Sequence, residues 1–571
     1  MTLKASSVKF HPSLKLYRYS VKRTAGLTVL MTVFMLLFCP GYVLTHINNR
    51  LNSLSSTIFN FDNIAPTVIS AVTVITCGAA LLYLFINFAF LYSRSSSDFF
   101  HSLPLKRTGL LVSRFFAAIV PILIPTVLSY ASMCGILALD YVEGSIKPIL
   151  TGFAYNILIL FMCAAFTMIF IVCAGSIFDL IISFVTFNIG IIIIQFITSS
   201  LCNEYLWGYT WQTEYKLLMY SSPFYYAFAG HFGLLNGETA YVDNHAVFTL
   251  KLILITLLSL IAAFLLYKRR KSEKSGVSYA YKFIYIVCAL IVGIVGAYLI
   301  GVLFSEGEIN LIFWIFAAVG GLLTAVTFGA INDRGFKTVK KSLIIGGASV
   351  ICMALTALTL WSGFFGYSTR IPSADKVKSA SVSFGASHVE FADPDLVFKL
   401  HGAIAENGAE TDEYQYISIS YSLKNGDSFE RAFYVDLGDY LDTLLEIYKS
   451  DENKQSIRKR FESFTENNLA ISVYSDDGSV EGLYLTPAEL TRLKQAYLTD
   501  IPSATANSIT GGGYYNIEIS GFDKDYEYSR ESFYAEEGFK NTVEVIKSFD
   551  LKARAESNSY VGDGYADNPI G

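Results

Sequence analysis

Two groups of residues in this chain of 571 have types and spacing that could do chemistry, and neither is a hydrolytic motif. The first is a set of amides, Asn87, Asn156, Asn188 and Gln195, standing inside long apolar runs. In hydrocarbon an amide must face another helix or a cavity, so these four are candidates for a translocation path. Plain hydrogen bonding between helices is the alternative. The second is the segment Ser95-Ser96-Ser97-Asp98-Phe99-Phe100-His101-Ser102-Leu103-Pro104-Leu105-Lys106-Arg107 between two apolar runs. Its serines and Asp98 are N-cap types. Phe99, Phe100 and Leu103, at i, i+1 and i+4, can share one face of a helical turn that Pro104 ends. Such a knob suits a partner's groove, or parks two phenylalanines among lipid headgroups.

Other chemistry is thin. No HExxH, GxSxG or GxxxxGK[ST] pattern occurs, and the glycines at 320–321 and 511–513 lack a following Lys-Ser/Thr. This chain is therefore expected not to be an enzyme, and any ATP hydrolysis belongs to another subunit. Asp179 sits beside Gly175 and Ser176, where a helix cap is a more ordinary role than a proton relay. His388 and His401 lie near Glu390, Asp393 and Asp395 without a metal-ligand spacing, so no metal site is expected.

The elements that must position these residues follow from composition. The chain is 53% hydrophobic and 16% charged, with a mean hydropathy of +0.44, which requires a bilayer as solvent for much of it. About 20 apolar residues cross a bilayer as a helix. The runs predict about nine spans, near 26–46, 66–93, 109–139, 149–174, 180–199, 247–267, 282–304, 309–331 and 342–366. The first run starts too late for a cleavable signal peptide and follows Lys4, Lys9, Lys15, Arg18, Lys22 and Arg23, so it reads as a retained signal anchor. Seven of the eight cysteines lie in apolar runs, and no disulfide framework is suggested.

Residues 1–366 carry 24 Lys/Arg against 13 Asp/Glu, and residues 367–571 carry 19 against 35. Basic residues also favour one side of the spans: the N-terminal segment, Arg94, Lys106, Arg107, Lys268 to Lys282 and Arg334 to Lys341. The opposite loops hold Arg50, Lys147 and Lys216. Positive charge marks the cytoplasmic side, so the N-terminus is expected in the cytoplasm and residues 367–571 outside it. The acidic part alternates apolar and polar residues at Tyr414 to Tyr421 and Tyr514 to Ile519, as β-strands do, with helices over Asp439 to Tyr448 and Pro487 to Tyr497. The predicted fold is an α-helical polytopic membrane protein with a C-terminal soluble α+β domain. The loop at 200–246 is dense in aromatics (Tyr205, Trp207, Tyr209, Trp211, Tyr215, Tyr220, Phe224, Tyr225, Tyr226, Phe228), which suit a re-entrant or interfacial segment.

Asp98 to Arg107, leading into Ser113-Arg114-Phe115, resembles the connection between the second and third helices of bacterial ABC-2-type permeases. The resemblance implies that Asp98, Phe99, Phe100, His101, Leu103, Pro104, Lys106 and Arg107 form a coupling helix for an ATPase. The first 25 residues, with Leu14-Lys15-Leu16-Tyr17-Arg18-Tyr19, are similar to that family's amphipathic connecting helix. Residues 26–267 correspond to its six-helix core, residues 268–366 add three helices, and residues 367–571 add the acidic domain. Membership implies ATP-driven export, or clearance from the membrane, of an amphipathic compound such as a lipid-linked or peptide antibiotic. It also implies an ATP-binding subunit, a second permease and membrane lipid as partners, with ATP and Mg on the partner ATPase, no cofactor on this chain and no nucleic acid. The expected location is a bacterial cell membrane. A non-transporting sensor with an external ligand-binding domain is the alternative. An ion-coupled transporter fits less well, because the acids cluster outside the spans.

Overall fold

The computed structural model describes residues 13–53, 59–139, 142–210, 222–236, 245–333, 335–336, 339–364, 366–367, 369–385, 387–407, 415–426, 428–462, 470–475, 478–510, 515–522, 528–536 and 538–549. Lys4, Lys9, Trp211, Tyr215, Lys216, Tyr220, Arg334, Lys337, Tyr414, Tyr514 and the glycines at 511–513, singled out above, lie outside them. The chain divides into two units, Met1–Leu201 with Glu214–Leu358, and Cys202–Thr213 with Thr359–Gly571. The second thus begins before residue 367 and takes in a stretch from inside the six-helix core read from sequence.

The first unit is helical: α1 (Leu14–Ser53), α2 (Ala65–Phe88), α3 (Arg94–Ser102), α4 (Arg107–Leu137), α5 (Ile146–Cys173), α6 (Ile177–Val185), α7 (Ile191–Tyr205), α8 (Pro223–Asn236), α9 (His245–Arg269), α10 (Lys282–Phe304), α11 (Leu311–Asp333) and α12 (Val339–Trp361). Nine helices among the described residues are long and apolar enough to cross a membrane, α6 and α7 counting as one. The chain is a multi-pass helical membrane protein.

Helix α1 has 40 residues, about 60 Å at 1.5 Å per residue, twice the hydrocarbon thickness. The amphipathic segment expected at 1–25 is therefore, from Leu14 onward, the polar end of the first span and not a separate helix. Pro121 and Pro125 lie inside α4 without dividing it. The most apolar stretches of α4 and α5 are 67% and 72% buried against 22% for α1 and α9, which makes α4 and α5 the centre of the bundle. Helix α8 has 14 residues, too short to span, and packs on α2 and α5. The short strands β1 (Phe59–Asn60) and β2 (Val142–Glu143) pair in parallel and join the loops after α1 and α4.

The second unit contains a duplication. Strands β3 (Val377–Phe384) and β4 (Ser387–Phe391), helix α13 (Asp395–Asn407), then β5 (Gln415–Leu423) and β6 (Ser428–Val435) form an antiparallel sheet of order β4-β3-β5-β6. Helices α14 (Leu437–Lys449) and α15 (Asp451–Glu462) follow. The plan then repeats: β7 (Ala470–Ser475), β8 (Gly478–Tyr484), α16 (Pro487–Asp500), α17 (Ala506–Thr510), β9 (Tyr515–Phe522), β10 (Tyr528–Ala535) and α18 (Lys540–Ser548), with sheet order β10-β9-β7-β8. Register repeats too: Gln415 faces Val435 and Phe433 faces Ile417, as Tyr515 faces Ala535 and Phe533 faces Ile517. Alternation points Ile417, Ile419, Ile517 and Ile519 into one shared core.

Part of the chain following the fifth span belongs to this unit. The Trp207 ring lies 5.8 Å from that of Phe433, and Ala432 N donates to Gly208 O at 3.4 Å.

Candidate functional site

Helix α3 stands at the end of the bundle where α2, α5 and α9 finish and α4 and α10 begin, with Arg107 opening α4, Lys268 and Arg269 closing α9 and Lys282 opening α10. It starts at Arg94 with Ser93 as N-cap, without a side-chain cap bond, so Ser95, Ser96, Ser97 and Asp98 are interior residues and not the caps expected. It ends at Ser102; Leu103 is already extended, as the residue before a proline prefers. Phe99, Phe100 and Leu103 do not share one face. Phe99 is 60% exposed, whereas Phe100 and Leu103 are half-buried. Asp98, Ser102, Pro104, Lys106 and Arg107 are exposed.

Phe100 turns inward because a cation waits there. Arg114 on α4 is 1% exposed, with its guanidinium 4.7 Å from the centroid of Phe90 and 4.2 Å from that of Phe100. Its Nη1 donates to Asn87 O, while Nε and Nη2 have no hydrogen-bond partner. The two ring faces supply the negative potential that a desolvated guanidinium needs. His101, half-buried, sits with Nδ1 3.3 Å from Ser97 Oγ and Nε2 3.5 Å from the Tyr267 hydroxyl. Burial, then Arg107 and Arg270, lower its pKa against the opposing pull of Asp98, so the ring is neutral at pH 7.

Arg270, just past α9, ties four elements together. Its Nη1 donates to Ile171 O at 3.2 Å and Val172 O at 2.7 Å, and its Nη2 to Leu91 O at 2.9 Å. These include last-turn carbonyls of α5, which a cation satisfies well. Arg107 Nη1 in turn donates to Arg270 O at 2.6 Å.

The connection from α9 to α10 is laid across the same face. Gly276 N donates to Gly175 O at 2.9 Å, Ala280 N to Cys173 O at 2.9 Å, and Arg94 Nε to Ser275 O at 3.4 Å. Asp179 is a cap: Ser176 N donates to its Oδ2 at 2.9 Å and its own N donates to Ser176 Oγ at 3.2 Å. The same Oδ2 accepts from Tyr279 N at 3.3 Å, holding Tyr279 in a left-handed conformation, φ 42°. Helix α3 and the three later spans are thereby joined through one backbone segment.

Of the four amides, Asn87, Asn156 and Asn188 are held by different partners. Asn87 Nδ2 donates to Tyr83 O of its own helix at 2.9 Å. Asn188 lies in a π turn, Thr186–Gly190, between α6 and α7; its Oδ1 accepts from Ser222 Oγ at 3.0 Å, just before α8. Gln195 Nε2 is buried without a partner. Only Asn156 joins a network: it accepts from Thr76 Oγ1 at 3.1 Å and donates to Thr73 Oγ1 at 3.2 Å and the Tyr130 hydroxyl at 3.4 Å. Thr73 Oγ1 lies 3.3 Å from His231 Nε2.

His231 is the residue that sequence reasoning missed. It is 1% exposed and its Nδ1 has no partner. The available signal was a lone histidine inside the apolar stretch 223–236.

In the second unit, His388 Nδ1 lies 2.7 Å from Ser383 Oγ on an exposed strand pair. His401 is fully buried, with Nδ1 3.0 Å from the Tyr421 hydroxyl. Among the described residues no group of three or more His, Cys, Asp or Glu is placed to hold a metal. No family model, curated protein or solved structure matches this chain.

Proposed function

We propose that this chain is the membrane-spanning permease subunit of an ATP-binding cassette transporter of the ABC-2 type. It sits in a bacterial cell membrane with its N-terminus in the cytoplasm and its C-terminal unit outside. A separate ATP-binding subunit docks on α3, and a second permease completes the assembly. The substrate is an amphipathic compound that is exported or cleared from the membrane.

One observation carries this reading: α3 is a short helix fixed from below by Phe100 on Arg114, with the apolar ring of Phe99 left 60% exposed beside Asp98. A rigid exposed aromatic is the kind of anchor that protein interfaces use. Its base also touches the segment 272–280, so a push on α3 can reach both the six-helix core and the later spans. Charge supports the sidedness, because Arg94, Lys106, Arg107, Arg270, Lys282 and Lys341 gather on this face.

The test is affinity purification of the tagged chain in gentle detergent, with mass spectrometry and an assay for vanadate-sensitive ATP hydrolysis. A stoichiometric ATPase that Phe99→Asp releases is the expected result. Repeated purification without one overturns the permease reading and leaves the sensor alternative.

A further inference from the structure

A cavity of about 450 Å³ opens among α10, α11, α12 and the segment leading into α10. Its lining is divided. Lys282, Lys341, Ser278 and Asn332 supply the polar part, and Ile286 and Ile344 the apolar part. Ser278 Oγ donates to Asn332 Oδ1 at 2.6 Å, closing the polar floor. Both lysines are exposed, and no carboxylate lines the cavity among the described residues.

Two ammonium groups sharing one cavity repel each other unless an anion lies with them. Lys282 is the first residue of α10 and Lys341 the third of α12, so two helix N-termini add their partial positive charge. The lysines also mark depth. They stand where the apolar spans begin, at the level of lipid headgroups, while Ile344, 72% exposed, continues the wall outward toward hydrocarbon. A cationic mouth on an apolar wall at that depth matches a molecule with a phosphate at one end and an acyl chain at the other.

We propose that this cavity binds an anionic glycerophospholipid, with Lys282 and Lys341 on its phosphate and an acyl chain along Ile286 and Ile344. The site is separate from the α3 surface and does not depend on the permease reading. Free phosphate shares the headgroup chemistry but would make no use of the isoleucine wall.

The experiment titrates the full chain, purified in nonionic detergent, with dioleoyl phosphatidylglycerol, dioleoyl phosphatidylcholine or inorganic phosphate, reading lipid retention by native mass spectrometry and thermal stabilisation. Phosphatidylglycerol is expected to bind most tightly. Lys282→Gln and Lys341→Gln should each weaken it about fivefold, the ratio expected for one lysine at a membrane surface, and together about twenty-fivefold. Equal binding of phosphatidylcholine, or unchanged binding by the double variant, overturns the proposal. Equal stabilisation by inorganic phosphate overturns the lipid assignment in favour of a soluble anion. Photoactivatable phosphatidylglycerol on the unaltered chain gives a readout independent of the variants' folding. Crosslinks in 278–286 and 339–345 are expected, and crosslinks confined elsewhere overturn the site.

Discussion

The guanidinium of Arg114 lies 4.2 Å from the centroid of the Phe100 ring, so the residue next to the exposed Phe99 is the one that holds α3 to the bundle. Neighbours in sequence thus have opposite tasks. Phe100→Ala should lower stability by about 2 kcal/mol, the scale of a desolvated cation–π contact, and loosen α3 against protease. Phe99→Asp should leave melting temperature and membrane insertion unchanged while partner association is lost. Thermal melts of both variants in detergent, set beside co-purification, separate the roles. Equal melting losses in the two would remove the distinction.

A second contrast concerns two glycines in the crossing segment. A Cβ on Gly175 would sit 1.6 Å from Val277 O, a backbone atom that cannot yield without breaking the Gly276–Gly175 hydrogen bond. Gly276, at φ +77°, has only Tyr92 O at 3.7 Å near its added Cβ, so alanine there costs backbone strain alone, roughly 1 kcal/mol. Gly175→Ala should cost several times that, on the order of 3 kcal/mol or more. Yields and melting temperatures that rank Gly276→Ala as the worse variant would contradict this packing.

Much of this was legible in the sequence for a physical reason. A span must be a long apolar helix, so the apolar runs translate directly into the membrane-length helices seen among the described residues. The turn at 175–179 and the cap at Asp179 are equally local, since Ser176 and Asp179 bond each other. What stayed hidden depends on distant partners. Nothing within Phe99-Phe100 says which ring turns inward; that is decided by Arg114, fourteen residues beyond Phe100. The duplication in the second unit was hidden because its halves share alternation and few identities. Ile417, Ile419 and Phe433 match Ile517, Ile519 and Phe533, but the outward position between the two isoleucines changes from Ser418 to Glu518, as a strand residue outside the core is free to do.

The Asn156 network makes a third prediction. Asn156→Leu removes three hydrogen bonds at once and leaves Thr76, Thr73 and Tyr130 with fewer partners in an apolar interior. Individual bonds between membrane helices are worth about 0.6 kcal/mol on average, so the loss should be roughly 2 kcal/mol. Asn87→Leu, which removes one bond within its own helix, should cost clearly less. Unfolding of both variants in mixed micelles measures the difference, and equal losses would show that Asn156 is no hub.

The last prediction concerns His401 at the core of the second unit. Burial, reinforced by Arg431, lowers its pKa from 6.5 to about 4. Between those values the unfolded chain binds a proton that the folded unit refuses, so stability rises with pH across that window. The neutral ring's full contribution is present above pH 6.5 and is lost as pH falls toward 4, by about 3 kcal/mol in total. For a unit of this size that corresponds to a melting shift of roughly 6–12 °C. Replacement by His401→Phe keeps an aromatic against Tyr421, whose ring stacks on His401 at 5.8 Å, and removes the titrating group. The measurement is protease resistance of the C-terminal unit on heating the full-length protein from pH 7 to pH 4.5. The unaltered chain should lose resistance at progressively lower temperature through that range, and the variant should lose much less. An identical decline in the variant would assign the acid sensitivity to the carboxylates of the unit instead of to His401.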